Sequence, residues 1–184
     1  MSSDDLAQGP EEELVLTSIA RDRPGLVERL AAVVAEHSGN WIDSSMARLG
    51  GEFAGILKIS VPGASVAALE SALADLAGEG IDVTIRRAEP PPPPSARRAN
   101  LELTGLDHAG IVLEVTHVLA EVGISINELH TEVFAGSMGG EAMFLAKADL
   151  FVPQGLDLEL LRATLEELAG DIMVDIEPAK PQSA

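Results

Sequence analysis

The sequence contains no cysteine, and aromatic residues make up only 3% of its 184 positions. Without cysteine there is no disulfide, no thiolate nucleophile and no Cys-ligated metal centre. With so few aromatics, each core must be built from aliphatic side chains, and a hydrophobic fraction of 46% supplies enough of them. Cations are also scarce. Twelve Lys and Arg stand against thirty Asp and Glu, a formal charge of −18. Counterion-release binding to nucleic acid needs clustered Lys and Arg, so this surface is expected to repel phosphates. A chain of this kind that controls genes would act through another protein, although acidity also simply keeps a protein soluble. No apolar run approaches the roughly 20 residues that span a bilayer. Met1 to Glu13 is polar and acidic and lacks the basic start and apolar stretch of a secretory leader. The expectation is a cytoplasmic protein with no membrane contact.

What is present is a repeat. Five consecutive prolines, Pro90 to Pro94, followed by Ser95, sit almost at the middle of the chain. They cannot continue a helix or strand, and they favour an extended polyproline II spacer. On either side the same order of elements is legible. In the first half, the β-prone run Glu13–Ala20 is followed by Asp22-Arg23-Pro24-Gly25. An apolar stripe at Leu26, Val27, Leu30, Val33 and Val34 then predicts a helix that ends at Gly39. Two β-prone runs, Trp41–Leu49 and Glu52–Val61, flank Gly50-Gly51. Val66, Leu69, Leu73 and Leu76 mark a second helix closed by Gly78, and Ile81, Val83 and Ile85 alternate as a last strand.

The second half repeats this order. Leu101 and Leu103 open it, and Asp107-His108-Ala109-Gly110 leads into a stripe at Ile111, Val115, Val118, Leu119 and Val122 that stops at Gly123. A hairpin runs from Ile124–Phe134 to Glu141–Val152 around Gly136 to Gly140. Leu158, Leu161, Leu165 and Leu168 repeat the spacing of the earlier second helix, Gly170 matches Gly78, and Ile172, Val174 and Ile176 close the unit. The pattern predicts two α+β domains of βαββαβ order, at 13–88 and 99–178, joined by a linker at 89–98. That order is the ferredoxin-like unit, an antiparallel sheet with both helices on one face. Each copy leaves a sheet face or edge bare, which favours pairing of the two halves or homo-oligomerisation.

The loop from first strand to first helix carries the most chemistry. A helix N-terminus offers free backbone N–H groups and partial positive charge to a carboxylate. The plain alternative is an ordinary helix start, with Asp22 capping and Pro24 in the first turn. Capping accounts for Asp22 and Asp107 but not for Gly25 and Gly110, because glycine within a first turn costs about 1 kcal/mol relative to alanine. Finding it twice points to close approach of a ligand to the backbone.

With these residues the sequence resembles the ACT domain, whose loop reads Asp-Arg-Pro-Gly-Leu/Ile and whose second strand begins with Asn-Ile-like residues. Here that strand reads Gly39-Asn40-Trp41-Ile42-Asp43 and Gly123-Ile124-Ser125-Ile126-Asn127. The stretch Ser44 to Ala54 is similar to the tandem-ACT family of glycine cleavage system transcriptional repressors. The likeness covers roughly residues 13 to 178. It implies a small amino acid bound between paired domains, with Asp22, Gly25 and Leu26 facing Asn40, Trp41 and Asp43, and Asp107, Gly110 and Ile111 facing Ser125 and Asn127. Ala109 and Ser125 depart from the family pattern. The resemblance further implies glycine as ligand and a DNA-binding transcriptional activator as protein partner. A free-standing regulatory subunit of an amino-acid biosynthetic enzyme is the alternative.

Other motifs carry less. Trp41, the only tryptophan, reads more readily as packing than as a ligand contact. Gly50-Gly51 and Gly139-Gly140 lack the lysine of a phosphate loop and read as hairpin turns. His37, His108, His117 and His130 show no helical metal-ligand spacing, and only His108 stands where an imidazole meets a loop ligand. There is no Gly-x-Ser-x-Gly elbow. No cofactor is expected, and both halves are consumed by regulatory-type folds, leaving no catalytic domain.

Overall fold

The computed structural model describes residues 10–89, 96–136, 140–168 and 172–179. The chain divides into two compact units, Met1–Pro91 and Pro92–Ala184. The first unit is built from β1 (Glu11–Arg21), α1 (Leu26–Glu36), β2 (Asn40–Leu49), β3 (Glu52–Pro62), α2 (Val66–Asp75) and β4 (Ile81–Arg87), with short 3-10 turns at Gly63–Ser65 and Leu76–Glu79. The second repeats the order with β5 (Ala96–Leu106), α3 (Ile111–Glu121), β6 (Ser125–Ala135), β7 (Ala142–Pro153), α4 (Leu158–Leu168) and β8 (Met173–Pro178). The sheets are ordered β2-β3-β1-β4 and β6-β7-β5-β8, and every strand pair in them is antiparallel. This is the ferredoxin-like α+β arrangement, made twice.

The alternation along β1 explains why both helices lie on one face. Leu14, Leu16, Ser18 and Ala20 are buried while the residues between them are not. Leu14, Leu16 and Ala20 join Leu26, Leu30, Val33 and Val34 of α1 and Leu69 and Leu73 of α2 in one aliphatic cluster. The second unit gathers Leu101, Leu103, Val115, Val118, Leu119, Leu161 and Leu165 in the same way. Fully burying one such side chain is worth about 1.5–3 kcal/mol, so these stripes carry most of the driving force. Val27, read from the sequence as part of the stripe, is 44% exposed. Its position is one residue past Leu26, about 100° around the helix, which turns it off the buried face.

The proline-rich run Pro90–Ser95 and Gly170 lie outside the described residues. The linker drawn at 89–98 is too long at its C-terminal end, because β5 already begins at Ala96. Ala96, Arg97 and Arg98 pair with Pro153, Val152 and Phe151. The Arg98 guanidinium binds Asp149.

The hairpin β2–β3 turns at Gly50 and Gly51, with φ +61° and +88°. Positive φ at both central residues is the backbone that matches strand twist in a two-residue hairpin, and glycine supplies it without steric cost. Both edge hairpins carry an irregularity near their start. Pairing slips between Trp41 and Asp43 in β2 and between Ile126 and Glu128 in β6, leaving Ile42 and Asn127 as extra residues.

Candidate functional site

Both loop-to-helix junctions have the same backbone. Gly25 is the N-cap of α1 with φ +92°, and Gly110 is the N-cap of α3 with φ +101°. The glycines precede the first turn rather than lying within it, and the left-handed backbone alone demands them. Ligand approach is therefore not needed to explain their recurrence. The plain alternative also fails in one respect. Neither helix receives a side-chain cap, and Asp22 turns away to accept a hydrogen bond from Arg48 Nη1 at 3.0 Å. Its backbone N–H is bound to the Gly51 carbonyl, as that of Asp107 is to Ala142. The first helical N–H groups are thus left without side-chain acceptors in both units, at a positive helix end.

Leu26 and Ile111 are 4% and 3% exposed and point into the cores. Only their backbones face the loop. Trp41 packs against the first core rather than standing free. Asn40 and Ser125 are exposed at the start of the edge strands. Asp43 Oδ1 accepts from the Ser44 N–H at 2.8 Å, and Asn127 Nδ2 donates to Asp149 Oδ2 at 2.9 Å. The Arg98 hydrogen bond is the largest influence on Asp149 and holds its carboxyl below the usual range, with Asn127 adding to the effect.

Within one unit the two groups of residues stand at opposite ends of the sheet. Arg21, beside the loop, pairs with Glu52, whereas Asn40 pairs with Ser60. Eight residues of strand separate them, ~26 Å at the usual rise. The second unit shows the same separation, with Leu106 opposite Met143 and Ser125 opposite Phe151. One unit therefore does not bring both groups to a single small ligand.

The first loop does open onto a cavity of its own, about 350 Å3 in volume, between the loop, α1 and the turn before β4. Its polar lining is Arg23, Glu28, Arg29 and Glu79, and Leu26 and Ile81 are among the apolar lining residues. Arg29 Nε and Nη2 donate to the Glu79 carboxylate at 2.8–3.1 Å, and Arg23 Nη2 donates to the Glu79 carbonyl at 2.8 Å. The paired hydrogen bonds raise the Arg29 pKa and hold the Glu79 carboxyl below its ordinary value. Arg29 and Glu79 were not singled out from the sequence. Arg29 sits one turn after Gly25, which is a usable signal, but nothing local marks Glu79.

In the second unit the positions of Arg23 and Arg29 are held by His108 and Glu114. His108 Nε2 lies 3.8 Å from Glu114 Oε2, a far looser contact. No cluster of three or more potential metal ligands occurs among the described residues, and no helix there is long and apolar enough to cross a membrane.

The chain thus builds twice an antiparallel βαββαβ unit with a glycine-initiated helix after its first strand. Residues 12–86 match the ACT domain family model, and the second unit repeats the same strand order. The chain belongs to the ACT-domain family and carries the fold in tandem. It is 32% identical to an unknown protein from Galdieria sulphuraria, whose crystal structure matches with a TM-score of 0.78 over 93% of this chain and 100% of that one. The crystal structure of a candidate glycine cleavage system transcriptional repressor matches over 92% of this chain and 99% of that one, with 20% identity and a TM-score of 0.66. No curated protein matches the sequence.

Proposed function

We propose that this chain is an amino-acid-sensing regulatory protein without catalytic activity of its own. The observation that carries the reading is the junction built twice, in which a left-handed glycine opens a helix whose first N–H groups have no side-chain cap. Such an end suits the carboxylate of a small amino acid. Glycine is the ligand favoured by the likeness to the candidate repressor.

The output is contact with a protein. A net charge of −18 argues against direct contact with phosphate, so a transcriptional effect would pass through a DNA-binding activator in the cytoplasm. Co-purification of the full chain from native cytosol, with and without glycine, tests this. Glycine-dependent recovery of a DNA-binding regulator supports the proposal. Glycine-dependent recovery of a biosynthetic enzyme instead would replace it with a regulatory-subunit role.

A further inference from the structure

We infer that the sheet face left bare by the helices of the second unit is a docking surface for a basic amphipathic helix of a partner protein. This deepens the reading that the chain's output is contact with a protein, by assigning the surface and the chemistry of what it meets. Leu101 and Leu103 of β5, Ala146 and Ala148 of β7, and Val174 and Ile176 of β8 share one core with α3 and α4. The residues between them point to the opposite face, where directly paired residues stand side by side. That face divides in two along its strands. At the end nearest Asp107, Phe134 lies opposite Met143 and Met143 opposite Leu106, while Leu145 is joined through Thr104 to Met173. Phe134 is 41%, Leu106 37% and Met173 70% exposed, so large apolar side chains lie open there among the described residues.

The next rows, about 7 and 14 Å further along the strands, are acidic. The first runs His130, Lys147, Glu102 and Asp175, and the second Glu128, Asp149, Asn100 and Glu177. Glu132 borders the apolar patch itself, opposite Leu145. The cations of this face are already engaged. Lys147 Nζ lies 3.1 Å from Glu102 Oε2, and Arg98 binds Asp149. Glu128, Glu132, Asp175 and Glu177 are exposed and form no salt bridge among the described residues. A second copy of this face is a poor occupant, because like charges brought opposite one another are destabilising. The matching face of the first unit lacks the excess. Arg21, Lys58 and Arg86 are interspersed there with Glu13, Asp43, Glu52 and Asp82. What complements the second face is an apolar stripe flanked by Lys and Arg, as a basic amphipathic helix presents. The patch crosses four strands, about 14 Å, the length of two to three turns of such a helix.

The experiment titrates the full chain with a synthetic peptide of Leu and Lys at helical spacing, about four turns long, and maps amide chemical shifts. Leu/Gln and Gln/Lys peptides of the same length separate the apolar from the charged contribution. The Leu/Lys peptide is expected to shift the amides of Thr104, Leu145 and Met173 and to bind about tenfold tighter than either control. Met173→Glu and Glu132→Lys change exposed side chains, and each is expected to weaken it about tenfold. Ile56→Glu, at an exposed position on the matching face of the first unit, is expected to leave it unchanged. Equal binding of either control, shifts outside this face, or no effect of Met173→Glu and Glu132→Lys overturns the docking surface. In the cytosol co-purification, a partner recovered equally by wild type and Met173→Glu overturns this face and leaves the protein-contact reading standing. Recovery of no partner by the wild-type chain removes that reading, and the docking face then stands or falls on the peptide result.

Discussion

Arg29 on α1 and Glu79 before β4 are joined by a two-pronged ion pair across 50 residues of sequence, with the shortest contact at 2.8 Å. The pair closes the end of the first unit that carries the Asp22–Leu26 loop. Because the Arg29 hydrogen bond lowers the Glu79 pKa below the ordinary carboxylate value, both charges persist through the mildly acidic range. Glycine affinity is accordingly expected to be flat from about pH 5.5 to 8. Calorimetric titration at three pH values checks this, and a tenfold fall between pH 7 and 6 would point to a histidine instead.

Replacing the junction glycines should cost stability whether or not ligand is present. Gly25→Ala and Gly110→Ala force an L-residue into a left-handed backbone, at about 1–2 kcal/mol each. Urea unfolding without ligand measures it. For that reason these variants report on the fold and are poor probes of binding.

Among the described residues Ser18 is the one buried polar side chain, and its Oγ has no hydrogen-bond partner there. Ser18 pairs with Val83 as Leu103 pairs with Val174 in the second unit, where the position is apolar. Burying an unpaired hydroxyl costs about 1–3 kcal/mol. Ser18→Ala is expected to be neutral or to stabilise by up to ~1 kcal/mol, read from the urea midpoint. A loss above that size would reveal a polar partner for the hydroxyl.

Acid sensitivity should reside partly in the second unit. The Asp149 carboxyl is held below its ordinary pKa chiefly by the Arg98 hydrogen bond. A depressed carboxylate contributes stability that is complete above its unfolded value, about 3.9, and is lost as pH falls through the folded value. Arg98→Ala should therefore lower stability at pH 6 and flatten the decline between about pH 5 and 2. Denaturant midpoints across that range decide it.

Much of the fold was legible because alternation and helical stripes recur in both halves. Leu14, Leu16 and Leu69 to Leu76 announce their elements by spacing alone. Val27 falls off the buried face by one step around the helix, and β5 begins at Ala96, two residues after the proline run, where no alternation marks it. The junction glycines were found, but their backbone conformation was not, since φ is not written in residue type. Glu79 was invisible because its role exists only once β4 brings the preceding turn back beside α1.

Binding of a small amino acid is tested most directly by calorimetric titration of the purified full chain with each of the twenty. Saturable binding confined to glycine and one or two other small amino acids is the predicted result. Absence of heat and of spectral change with all twenty at millimolar concentration would contradict it.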